Sequence, residues 1–257
     1  NMPLQIQSPR TEEFIRCRDL VFDHNFLQHG IGSLSEKVQH AILKNYYCPN
    51  PSCQEINLGR FVADIADQNG VIEIQTKGFG QMRKKLSFFL EHYPVRIVYP
   101  VVLVKWVVWI DPQTGEIISR RKSPKKTAAY DLFRELYSIL DLLWQEKFSL
   151  TLPLLESEEY RLLDGYDKNP KRGSSRSQMV PSSILGEVTL NSPSDLLQFL
   201  PDNLPLEFCS SDIRSLCRLN SRQTSYFLLV LRKLGLIEQV GIRNRFYLYR
   251  VKEQILP

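Results

Sequence analysis

One turn constrains this chain more than any other feature. Asp67-Gln68-Asn69-Gly70 stands between two runs rich in apolar and β-branched residues, 60–66 and 71–76. An Asn-Gly pair accepts the positive φ angles of a tight hairpin turn, so the spacing predicts two antiparallel strands. The alternating stretch Glu55-Ile56-Asn57-Leu58 reads as a further strand before them. Gly78 and Gly80 end the pattern, and a helix is expected from about Gln81, with Met82, Leu86, Phe89 and Leu90 along one face. Two more strands follow at 95–99 and 105–111, the second closed by the turn Asp111-Pro112-Gln113-Thr114-Gly115. Upstream, Ser33 and Glu36 make a capping-box pattern. Leu34, Val38, Ala41, Ile42 and Tyr46 then fall at helical spacing, with Pro49 just beyond. The order helix, three strands, helix, strand gives the α/β class, a mixed central sheet flanked by helices.

Changes in pattern divide the chain into 1–115, 116–200 and 201–257. The middle region is expected to be a helical extension. It has a basic run at 120–126, a helix from 128 to about 145 with Leu132, Leu136, Ile139, Leu140 and Leu143 inward, and a polar mobile loop at 167–178. The last region predicts a short helix over 211–217 and a longer one over 221–234, capped by Asn220 and ended by Gly235. A strand, a turn and a strand complete it.

Several classes are excluded. No run reaches eighteen apolar residues; the most apolar stretch, 95–110, is broken by Arg96, Pro100 and Lys105, so no membrane span is expected. The first residues lack a basic-then-apolar signal pattern, which leads to a cytoplasmic expectation. Cys48 and Cys53 have no second Cys/His pair at zinc-ligand spacing, so the five cysteines read as reduced thiols. A net charge of +5 permits an acidic partner without requiring one.

The chemistry concentrates on the hairpin. Glu73 and Gln75 are two apart on one strand and share a face, and antiparallel pairing can bring Asp64 beside them. Two carboxylates and an amide, all hard oxygen donors, suit a divalent cation such as Mg²⁺. Glu73 also stands between Ile72 and Ile74, where a charge needs a partner or a metal. The competing reading places Asp64 in a simple ion pair with Arg60 or Lys77.

The helix carrying Glu36, the strand ending Ala63-Asp64-Ile65 and the strand Ile72-Glu73-Ile74-Gln75, followed by a helix and a strand, resemble the core of the PD-(D/E)XK nucleases over about residues 33–110. The phrase Ile72-Glu73-Ile74-Gln75-Thr76, with Val98-Tyr99-Pro100 downstream, is similar to one in uncharacterised bacterial members. The resemblance implies a restriction-endonuclease-like fold and a Mg²⁺- or Mn²⁺-dependent DNA endonuclease. Asp64 and Glu73 would hold the metal, Glu36 would reach in, and Gln75 would stand where the family usually has Lys. Lys77, or Lys84 on the next helix, would supply the missing positive charge. Residues 206–250 resemble a winged helix-turn-helix. Arg222 and Gln223 would lie at the head of its recognition helix, and Arg243 and Arg245 at the wing tip. Together with the basic cluster Arg83, Lys84 and Lys85, these are the expected DNA contacts. Nucleases of this type also act as homodimers. The alternative is a non-catalytic DNA-binding regulator that keeps the nuclease-like scaffold, because Gln75 replaces the usual Lys.

Overall fold

The computed structural model describes residues 5–29, 35–124, 128–165 and 177–252, with the side chains of 22–29, 35–37, 128 and 177 outside the description. Helix α1 (Thr11–His29) begins with Glu12 and Glu13, whose charge complements the helix dipole. Helix α2 (Ser35–Tyr47) ends with Lys44 for the same reason. Strands β1 (Gln54–Leu58), β2 (Phe61–Asp67) and β3 (Gly70–Ile74) form an antiparallel meander. At its expected turn the Asn69 N–H donates to Asp67 Oδ1 (2.7 Å), and Gly70 adopts a φ of 124°.

Helix α3 (Arg83–His92) crosses back so that β4 (Val95–Val98) pairs in parallel with β3. Strand β5 (Val101–Ile110) continues the same line after Pro100, which has no N–H to donate to a ladder. It turns into β6 (Ile117–Lys122). Helix α4 (Leu132–Tyr137) then leads to two long strands, β7 (Phe148–Leu162) and β8 (Ser177–Leu190). Strand β7 runs parallel to β4 and then to β5 along one edge, and antiparallel to β8 along the other. All eight strands make one mixed sheet.

The expected helical extension over 116–200 is therefore corrected. Among the described residues the helical parts there are the short α4 and 3-10 turns at 128–131 and 193–199, while β6, β7 and β8 take up 35 residues and carry the sheet well past residue 115. Within the predicted loop 167–178, residues 167–176 lie outside the described residues, and β8 begins at Ser177. The Ser33–Glu36 capping pattern also lies outside them.

Helix α5 (Ser210–Cys217) ends at Arg218 in the left-handed conformation, and α6 (Ser221–Lys233) follows. Asn220 caps α6 reciprocally: the Gln223 N–H donates to Asn220 Oδ1 (2.9 Å) and the Asn220 N–H to Gln223 Oε1 (3.3 Å). Strands β9 (Ile237–Arg243) and β10 (Phe246–Val251) form a separate hairpin.

Two apolar clusters hold the sheet. On one side, α1 and α2 bury Phe14, Ile42 and Tyr46 with Ile65, Ile74 and Leu155. On the other, α3 and α4 pack Leu86, Phe89 and Phe133 in a cluster that runs without a break into Phe227, Val230 and Leu231 of α6. The rings of Phe133 and Phe227 meet edge to face, 4.6 Å apart. Among the described residues no helix is long and apolar enough to cross a membrane.

Candidate functional site

The ladder between β2 and β3 pairs Asp67 with Gly70, Ala66 with Val71 and Ile65 with Ile72, and goes no further. The next two opposed residues are Asp64 and Glu73, and there side chains replace the ladder. The Ile74 N–H donates to Asp64 Oδ2 (2.8 Å), and the Asp64 N–H donates to Glu73 Oε1 (3.3 Å). Two carboxylates thus sit in the gap where two main chains part. Each is met by a nitrogen from a different layer. Lys85 of α3 donates from Nζ to Glu73 Oε2 (2.6 Å), and His40 of α2 brings Nε2 within 3.0 Å of Asp64 Oδ2.

Glu73 is only 2% exposed. Burial, and then the neighbouring Asp64 charge, push its carboxyl up to about 7, although Lys85 pulls the other way. Burial would raise Asp64 too. The adjacent His40 imidazole, the Ile74 N–H and Lys85 outweigh it, so Asp64 ends below its ordinary value. The two acids are driven apart: near neutrality Glu73 is partly protonated while Asp64 stays ionised. A pair of titratable groups separated in this way suits acid–base chemistry.

The remaining expected residues divide. Gln75 is close by, but its amide donates to the Lys77 carbonyl (2.6 Å), which leaves the carboxylate pair to Asp64 and Glu73. The cation that reaches Glu73 is neither Lys77 nor Lys84. Lys77 is exposed and lines a neighbouring cavity, and Lys84 is exposed on α3. Lys85, expected on a phosphate-facing surface, turns inward instead. The side chain of Glu36 lies outside the described residues; His40, four positions on and so one turn further along α2, is the residue from that helix that arrives. Both partners had weak signals in the sequence. His40 shares the Glu36 face by helical spacing, and Lys85 precedes the core residue Phe89 by four, with its ammonium 5.7 Å from that ring.

The expected DNA contacts divide as well. Arg222 is exposed in the first turn of α6 and Arg245 at the tip of the β9–β10 hairpin. Arg83 is exposed but paired with Asp141, and Arg243 pairs with Asp212. Gln223 is a correction: it is buried and donates to Asp131 Oδ1 (2.8 Å), because α6 lays this face on α4 and not toward solvent. In the basic run, Arg120 stacks on Trp106 (3.8 Å) and pairs with Glu158 (2.8 Å), while residues 125–127 lie outside the described residues.

Among the described residues no three His, Cys, Asp or Glu side chains converge as a metal-ligand group. Asp64 and Glu73 alone offer two hard oxygen donors. That number suits Mg²⁺, which keeps waters and takes substrate oxygens for the rest of its shell.

The chain belongs to the family described as "Domain of unknown function (DUF8091)", which matches residues 37–191. The match takes in His40, Asp64, Glu73, Lys85 and the whole eight-stranded sheet, and ends before α5. A protein of Treponema pallidum (strain Nichols), described as an uncharacterized protein, is 29% identical over 232 residues, covering 86% of this chain and 87% of that one. No solved structure matches the chain.

Proposed function

We propose that this DUF8091 member is a metal-dependent DNA endonuclease with a restriction-endonuclease-like core of the PD-(D/E)XK type. The observation that carries this reading is the Asp64–Glu73 pair in the gap between β2 and β3, with Lys85 bonded to Glu73. Asp64 and Glu73 would hold Mg²⁺ or Mn²⁺; when bound, such an ion lowers the pKa of a coordinated water and shields charge on the phosphate. Lys85 answers the departure at Gln75, since it brings a cation to the second acid from α3 instead of from two positions along β3. His40 fixes the orientation of Asp64. Burial of Glu73 keeps bulk water away and strengthens every charge interaction at the site. In this reading the α5–β10 unit serves as a winged helix, with Arg222 and Arg245 available to phosphates. Five free thiols suit a reducing cytoplasm.

A second reading, a DNA-binding regulator on a nuclease-like scaffold, is favoured by one observation: Lys85 and His40 already partner both acids without a metal. The deciding experiment is cleavage of plasmid and branched DNA with Mg²⁺ or Mn²⁺, beside Glu73→Ala and Lys85→Ala purified identically. Cutting abolished by EDTA and by both substitutions supports the nuclease. DNA binding that ignores chelators, with no cutting under either ion, supports the regulator.

A further inference from the structure

A concavity opens where the loop after β3 meets α4 and the head of α6. It encloses about 390 Å³, within the range of roughly 300–1,000 Å³ seen for small-molecule sites. Three segments each contribute a cation: Lys77 from the loop, Arg134 from α4 and Arg222 from α6. The two acids in the wall are engaged. Glu135 accepts the N–H groups of Gly78 (2.7 Å) and Phe79 (3.1 Å) as well as Arg134 (2.7 Å). Asp131 accepts from Gln223 (2.8 Å). Arg222 is exposed and makes no ion pair with a described residue. Three cations face two carboxylates, so the lining is net positive and receptive to an anion.

The same wall is aromatic. Tyr226 lies 5.6 Å from Tyr137 in a tilted, partly exposed pair. Tyr99 is the most informative residue. It lines the cavity and is 6% exposed. The charges its hydroxyl feels are those of Asp131, Glu135 and Arg134, all in the cavity wall. The ring is buried while the residue lines the cavity, where its hydroxyl can meet a bound molecule.

We infer that the cavity binds one nucleotide unit. Its phosphate meets Arg222 and Arg134, with Lys77 at the rim. Its base lies against Tyr226, and a polar atom of base or sugar satisfies the Tyr99 hydroxyl. The unit can be a free nucleoside monophosphate or one residue of a nucleic-acid strand, since both present the same groups. None of His40, Asp64, Glu73 or Lys85 lines the cavity, so the inference stands apart from the metal reading. Thr76 and Lys77 nevertheless follow Glu73 by three and four residues along the chain.

The test is calorimetry on the full chain in EDTA with thymidine 5′-monophosphate, thymidine and inorganic phosphate, beside anisotropy with a labelled single-stranded oligonucleotide. Arg222→Ala removes an exposed side chain and Tyr99→Phe removes one oxygen, so both variants keep the packing; circular dichroism verifies it. Thymidine monophosphate is expected to bind at least tenfold more tightly than thymidine or phosphate. Arg222→Ala should weaken it by about 10- to 100-fold and Tyr99→Phe by about 3- to 10-fold. An oligonucleotide that binds more tightly, with the same losses, assigns the pocket to a strand; a monophosphate that binds as tightly assigns it to a free nucleotide. Absence of binding by both, indifference to both substitutions, or phosphate binding as tightly as the nucleotide overturns the inference. Because the measurement excludes metal, its failure leaves the cleavage result untouched, and the reverse also holds.

Discussion

Glu73→Gln should make the metal-free protein more stable at pH 8 and leave it nearly unchanged at pH 5. Glu73 is 2% exposed, and burial followed by the Asp64 charge lifts its carboxyl from 4.5 to about 7. With the folded value above the unfolded one, the folded chain keeps a proton that the unfolded chain has already released. Stability is therefore fully present below about pH 4.5, declines as pH rises from there to 7, and stays low above. A displacement of this size corresponds to about 3 kcal/mol. Glutamine matches the protonated acid in shape and carries no charge, so it escapes that loss. The side chain of Lys85 is 22% exposed and can hold its ammonium toward water once its partner is neutral. The expected gain thus approaches about 3 kcal/mol at pH 8 and falls toward zero at pH 5. Urea unfolding in EDTA at several pH values reads it directly. A variant destabilised equally at pH 5 and pH 8 would refute the reasoning, because the Lys85 bond would then outweigh burial and Glu73 would be a structural acid. Added Mg²⁺ should close the gap at pH 8 by stabilising the wild type alone.

Two further substitutions probe the frame. Phe227 is fully buried against Phe133 (4.6 Å) and Tyr130 (5.3 Å), so Phe227→Ala should cost about 3–5 kcal/mol in urea unfolding. A loss below about 1 kcal/mol would show that α6 and the sheet do not share a core. Gly70 holds a φ of 124° and a Cβ there would collide with the Pro94 carbonyl, which already accepts the Val71 N–H (2.8 Å). Gly70→Ala should cost about 2 kcal/mol or more, and an unmoved urea midpoint would show that the turn can relax.

The sequence by itself determined the locally coded parts. The Asn69-Gly70 turn, the meander around it, α3, and the α5–α6–hairpin unit all announce themselves through side-chain period and caps, which depend on residues a few positions apart. The oddity of Glu73 in an apolar strand was legible for the same reason. What it did not disclose was the centre of the sheet. Strand β7 carries Pro153 and the acids Glu156, Glu158 and Glu159, a pattern that reads poorly as a strand alone. Glu156 is answered across the sheet by Trp106, Glu158 by Arg120 and Glu159 by Lys105, while Arg161 and Tyr160 of β7 itself add to Glu159 and Glu158. The partners of the carboxylate pair were hidden likewise, because His40 and Lys85 lie on helices packed on opposite faces and converge only when both dock. Tertiary packing also decided the fate of Gln223: its cap was readable from four adjacent residues, but its burial depends on where α6 meets α4. Charges and amides separated by tens of residues carry no mark of their partners in the chain. Only burial, by making an unpaired polar group costly, selects which ones must meet.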